Sequence, residues 1–159
     1  MSLLTIAGKQ AIDRFLEIAA LDREAWGDAP DARFTPDGEH AWRVWAEYSF
    51  VLAVEDVNER KIVGALCGFD TNQDKVHFLH KIFVDPGRIR QGVGNLLLAA
   101  YCEYLDTRGL SSNFTTSPLN EAMIAVSDRY GFTTRELIEG YYRPTEDRLL
   151  RVRPLTSKN

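Results

Sequence analysis

Apolar residues along the chain change period several times, and each change marks an element. Over residues 10–26, Ile12, Phe15, Leu16, Ala19 and Ala20 recur at helical spacing, which predicts a helix ended by Gly27 and Pro30. Beyond the turn chemistry of Thr35-Pro36-Asp37-Gly38, the spacing of Ala41, Trp42, Trp45 and Tyr48 predicts a second helix with an aromatic face. Three strand-like runs follow at 50–55, 61–69 and 75–84, joined by the short polar connectors 56–60 and 70–74 that antiparallel neighbours require. Asp85-Pro86-Gly87 ends the third run. Val93, Leu96, Leu97, Ala100, Tyr104 and Leu105 mark a long helix that Gly109 closes. A short strand is expected at 113–116, then a helix opening at Asn120 and closing at Gly131, with Leu119 and Ile124 spaced as a hydrophobic staple. Strands at 132–142 and 148–152 finish the chain, and residues 2–6 supply a short first strand.

This order predicts a mixed α/β fold: a mostly antiparallel sheet of six to seven strands flanked by about four helices. Hairpins ahead of the glycine-rich segment 88–95 weigh against a parallel dinucleotide fold, which places a helix between successive strands. The 159 residues, 45% of them hydrophobic and 26% charged, suit one domain spanning 1–159. Cys67 and Cys102 lie among apolar neighbours and read as buried thiols. With those two cysteines and only His40, His77 and His80, ligands for a metal are scarce, and no metal is expected.

The net charge of −4 argues against a nucleic-acid surface, which needs a basic footprint. No apolar run is long enough to span a bilayer, so neither membrane nor nucleic acid is an expected partner and the expected location is cytoplasmic. The charge is uneven. Residues 21–40 hold Asp22, Glu24, Asp28, Asp31, Asp37 and Glu39 against Arg23 and Arg33, a local balance equal to the whole net charge. The last nineteen residues are basic, with Arg143, Arg148, Arg151, Arg153 and Lys158 against Glu146 and Asp147.

The segment Arg88-Ile89-Arg90-Gln91-Gly92-Val93-Gly94-Asn95 joins a strand to a helix N-terminus. Glycines there admit a ligand close to the backbone, and the first-turn N–H groups with the positive end of the helix dipole favour phosphate. Two familiar nucleotide motifs fail: Leu97 occupies the third glycine place of the dinucleotide fingerprint, and no Gly-Lys-Ser or Gly-Lys-Thr is present.

Phe83-Val84-Asp85-Pro86, followed by Ile89-Arg90-Gln91-Gly92-Val93-Gly94 and then by Asn120 and Gly131-Phe132, resembles the GNAT superfamily of N-acetyltransferases over 79–132. The resemblance implies acetyl-CoA as co-substrate, held by Ile82, Phe83, Val84, Arg88, Arg90, Gln91, Gly92, Val93, Gly94, Asn95 and Asn120. It also implies acetyl transfer to a primary amine. Three positions depart from the family pattern: Ile89 replaces the opening Gln or Arg of the loop, Ser127 replaces a tyrosine acid, and Phe78 replaces a glutamate base.

Acetyl transfer requires a base for the amine, donors for the oxyanion and a fate for the thiolate. Backbone N–H groups near 82–84 can serve the oxyanion. His80 is the first candidate base because its ordinary pKa suits neutral pH, with a water chain as the alternative and His77 expected on the opposite strand face. Ser127 and Tyr130 are candidate partners for the sulfur, with Tyr141 and Tyr142 as further options. The resemblance implies that the first two helices and their loop line the acceptor groove. There Trp26, Trp42, Trp45 and Asp31, in the acidic stretch, suit a cationic amine. Gly140-Tyr141-Tyr142 followed by Glu146-Asp147 also resembles GNAT enzymes of protein N-termini, which makes peptide amines one candidate. The expected partner is thus a small-molecule or peptide amine, and a homodimer stays open. Two other functions compete: a CoA-binding module without catalysis, and an unrelated phosphate or nucleotide binder.

Overall fold

The computed structural model describes residues 1–27 and 36–156. It is a mixed α/β fold with a seven-stranded, mostly antiparallel open sheet and five α-helices among the described residues. The strands are β1 (Leu3–Ala7), β2 (Phe50–Asp56), β3 (Lys61–Asp70), β4 (Val76–Val84), β5 (Ser111–Thr116), β6 (Thr133–Ile138) and β7 (Arg148–Arg153). The helices are α1 (Lys9–Asp13), α2 (Phe15–Gly27), α3 (Glu39–Tyr48), α4 (Val93–Arg108) and α5 (Glu121–Asp128). The sheet order is β1-β2-β3-β4-β5-β7-β6. Its parallel pair is β4 with β5, and α4 provides the crossover that parallel neighbours need. No helix among the described residues is long and apolar enough to cross a membrane.

The helix expected over 10–26 is broken at Arg14, whose backbone leaves helical geometry (φ −115°, ψ 20°). Its guanidinium is bound by Glu17, by Glu55 on β2 and by the carbonyl of Arg60, so distant partners set the break. Restarting at Phe15 turns Leu16 outward, 52% exposed, and buries Ile18, Ala19, Leu21 and Asp22. The strand expected over 132–142 stops at Ile138. Gly140 adopts φ +61°, and bonds from Tyr141 N to Glu146 O and from Gly140 N to Asp147 Oδ1 close a tight loop instead.

By its contacts the chain forms two compact units, residues 1–69 with 80–97, and 70–79 with 98–159. The first has a core built from Trp42, Ile18, Ile62, Cys67 and Phe83, with Trp42 edge-on to both Trp45 (5.3 Å) and Phe83 (5.6 Å). The second packs Tyr101, Leu105, Phe114 and Phe132, the last two ring centroids 5.1 Å apart.

Candidate acetyl-CoA and acceptor site

The glycine segment lies where the sequence places it. After β4, Asp85 accepts from Gly87 N and caps one turn of 3-10 helix at Pro86–Arg88, and α4 begins at Val93. Gly92 has φ +86°, a conformation only glycine adopts freely, and the space a Cβ would occupy is open. Arg90 is also in the left-handed region (φ +66°), is exposed, and enters no ion pair among the described residues. The first turn of α4 therefore presents backbone N–H groups beside an open glycine and a cation that is unpaired among the described residues. This arrangement fits a diphosphate, and the residues able to hold it are Arg90 to Asn95.

Arg88, expected to serve the same anion, does not have a free charge. Its guanidinium pairs with Asp56 at 3.4 Å and Glu59 at 2.5 Å, because β2 and its turn bring both carboxylates to it. Phe83 is buried against Trp42, so only its backbone can face a ligand. Asn120 spends its side-chain oxygen capping α5 through Met123 N at 3.1 Å, which leaves its amide nitrogen for any ligand.

Nothing in its sequence context marks Gly64, yet it seats the loop. A Cβ there would lie 2.5 Å from Val93 Cγ1 and 3.2 Å from the Phe83 carbonyl oxygen, so the missing side chain lets α4 begin against β3 and β4. The β4–β5 register runs over Val76, His77 and Phe78 only. Ile82 to Val84 extend well past it.

On the acceptor side, the expected residues divide. Trp42 is fully buried and donates its indole N–H to Asp22 at 2.9 Å; it is a core residue, not a wall of a groove. Trp45 is partly buried beside His80, with ring centroids 4.8 Å apart, and Trp26 lies 6.0 Å below the Lys81 ammonium. Asp31 lies outside the described residues.

His80 joins a charged cluster. Asp22, fully buried, accepts from Lys81 Nζ (3.0 and 3.1 Å), from Trp42 and from the backbone N–H of Asp37. Asp37 Oδ2 accepts from Lys81 Nζ at 2.6 Å and faces His80 Nε2 at 3.4 Å. The His80 hydrogen bond, aided by Lys81, brings the Asp37 carboxyl down to about 2, so it is ionised at neutral pH. Lys81 thus offsets one of the two charges of Asp22 and Asp37. A shallow groove of about 170 Å³ lined by Glu17, Ala20, Leu21, Glu24, Lys61 and Ile62 contains none of the candidate residues.

The sulfur partners fare differently. Ser127 is fully buried, donates to the Ile124 carbonyl at 3.1 Å and accepts from Arg151 Nη2 at 3.0 Å. That hydroxyl is a structural link and offers nothing to a ligand. Tyr130 lies beyond the end of α5, not on its face, and its carbonyl accepts from Arg153 at 2.8 Å; its side chain is half-buried. The basic C-terminus is likewise used internally. Arg151 also bonds Thr134, Asp128 and the Phe132 carbonyl, and Arg153 pairs with Asp106.

With this geometry established, a model of the acetyltransferase (GNAT) family matches residues 12–132. The chain belongs to the GNAT family. Its fold is shared with solved members at low identity. The ribosomal-protein-S18-alanine N-acetyltransferase from Escherichia coli superposes with a TM-score of 0.80 at 18% identity, covering 99% of this chain and 97% of that one. An N-acetyltransferase from Staphylococcus aureus Mu50 gives 0.83 at 14% identity, with 98% and 100% covered. yncA from Salmonella typhimurium, solved with its cofactor acetyl-CoA, gives 0.83 at 14%, with 100% and 97% covered. No curated protein matches by sequence.

Proposed function

We propose that this GNAT protein transfers the acetyl group of acetyl-CoA to a primary amine of a cationic small molecule or peptide. The observation that carries the reading is the open, positive-φ Gly92 at the start of α4 beside Arg90, which is unpaired among the described residues. Bound acetyl-CoA supplies an acetyl carbon activated as a thioester, whose C–S bond breaks as the amine nitrogen bonds to that carbon, the electron pair leaving with sulfur. The chain's own residues do the rest. Amides of Gly92 to Asn95 and the Arg90 guanidinium bind phosphate, the Gln91 amide being given to the Arg88 carbonyl. Backbone N–H groups of Ile82 to Val84, past the β4–β5 register, meet the negative charge on the carbonyl oxygen; one such donor is worth about 3 to 4 kcal/mol of barrier. His80 takes the amine proton.

Similarity to the ribosomal-protein-S18-alanine N-acetyltransferase, and to the NatC complex bound to Gag peptide and CoA, supports peptide amines as acceptors. Against this, Glu146 in the closing Tyr-Tyr…Glu-Asp segment is buried and tied to Arg143, so it is not a free peptide contact. The structural use of Ser127 and the Phe78 position favour the second reading, a CoA-binding module without turnover.

Calorimetric titration with acetyl-CoA, followed by thiol release over polyamines, aminoglycosides, amino acids and peptides, separates these readings. Micromolar binding is expected, and Gly92→Val weakens it at least about 100-fold, because a β-branched side chain enters the phosphate space and resists positive φ. Absence of binding in the unmodified protein removes the acetyl-CoA reading; binding without thiol release on any amine selects the non-catalytic module.

A further inference from the structure

His80 and Lys81 are neighbours on β4, where side chains ordinarily alternate faces, yet both reach one oxygen, Asp37 Oδ2. That oxygen is held in place. Lys81 bridges it to the buried Asp22, Asp22 accepts from the backbone N–H of Asp37, and Trp42 anchors Asp22 in the core. The His80 ring is confined between Trp45 and Phe69, with centroids 4.8 and 5.7 Å away, and its side chain remains 30% exposed. Among the described residues, the charged groups facing it are Asp37 and Lys81, with Asp22 behind Lys81. The nearby Cys67 thiol is pushed up to about 12 by burial and stays neutral.

We infer that Asp37 is a positioning residue for His80: it accepts the Nε2 proton, so the basic lone pair lies on Nδ1, and it neutralises the imidazolium formed when Nδ1 takes a proton. The inference rests on the reading of His80 as the base. One proton moves from the amine nitrogen to Nδ1 and then to bulk water, while the Nε2–H bond to Asp37 stays in place. Lys81 holds the carboxylate, and its own charge is countered by Asp22. This is the arrangement by which a carboxylate fixes an imidazole tautomer.

The test uses the full chain with Asp37→Asn, Asp37→Glu and His80→Ala. With only three histidines, the imidazole protons are resolved by NMR, and His80→Ala assigns one of them. In the parent the neutral His80 ring is held as the Nε2–H tautomer, read from its ring nitrogen shifts, and in Asp37→Asn that preference is measurably weakened while the His77 signals stay as before. The plateau of kcat/KM falls with it, KM for the amine changes little, and Asp37→Glu recovers most of both. An unchanged His80 tautomer in Asp37→Asn overturns the inference, and this arm needs no acceptor. If the His80 tautomer shifts as expected while kcat/KM stays put, Asp37 still positions His80 but His80 is not the base, and the catalytic reading is overturned instead.

Discussion

His77 and His80 lie three residues apart on one strand and have opposite surroundings. His77 is 1% exposed, its Nδ1 meets the Tyr101 hydroxyl at 2.6 Å, and that hydroxyl continues to Ser112 at 2.9 Å. Burial pushes its pKa down to about 4, so it is a neutral member of a chain of hydroxyls. His80 is partly exposed beside an ionised carboxylate. The same side chain is thus a fixed hydrogen-bonding piece of the core in one place and a partly exposed group beside a carboxylate in the other. The two differ in solvent and in the nearest charge, and the dry site penalises the charged imidazole.

The largest expected effect exchanges the two roles. His80→Ala lowers kcat/KM by about 100-fold or more, the ordinary contribution of a positioned base, and leaves the urea midpoint near that of the parent. His77→Ala does the reverse. It loses about 2 to 4 kcal/mol of stability through a cavity and an orphaned Tyr101 hydroxyl, while turnover per folded molecule stays within a few-fold. Full activity in His80→Ala on a good acceptor would break the comparison.

A second expectation uses pH alone. Unfolded His77 binds a proton near 6.5, whereas folded His77 does not until about 4. Between those values the unfolded state holds more protons, so stability falls as pH falls, by roughly 3 kcal/mol across the window. Asp37, depressed to about 2, contributes its own loss only below the ordinary carboxylate range and does not blur the result. Urea titrations from pH 7 to pH 4 on the parent and on His77→Gln check this: the parent's stability relative to the variant should fall by roughly 3 kcal/mol across that range.

The parts of the fold legible in the sequence are those set by neighbours. Gly92, Gly109 and Gly131 are all at positive φ where the local sequence predicts a turn or a helix end, and Asn120 caps α5 as its position implies. What is not legible depends on partners far along the chain. Arg14 breaks a helix because the Arg60 carbonyl, 46 residues on, captures its side chain. Trp42, whose spacing suits a groove wall, turns inward because Asp22 accepts its N–H. Of the candidate site, the backbone geometry of the glycine segment is readable because it is set locally. The Asp37–Lys81–Asp22 cluster is not, since it joins positions 44 and 59 residues apart.

Ser127 gives the smallest effect and the sharpest check on the rule drawn from the histidines. Its position in the family pattern points to sulfur, yet it is enclosed and doubly bonded, as His77 is. If surroundings decide role, Ser127→Ala leaves thiol release within about two-fold. It costs only about 1 kcal/mol of stability, the net worth of a typical internal hydrogen bond, because Arg151 keeps the Ile124 and Phe132 carbonyls, Thr134 and Asp128 as acceptors. Turnover lowered by about two orders of magnitude, the scale of a lost proton-transfer group, with stability unchanged, would mean that the hydroxyl leaves Arg151 to meet the ligand. Enclosure in the resting fold would then be no guide to chemistry at that position.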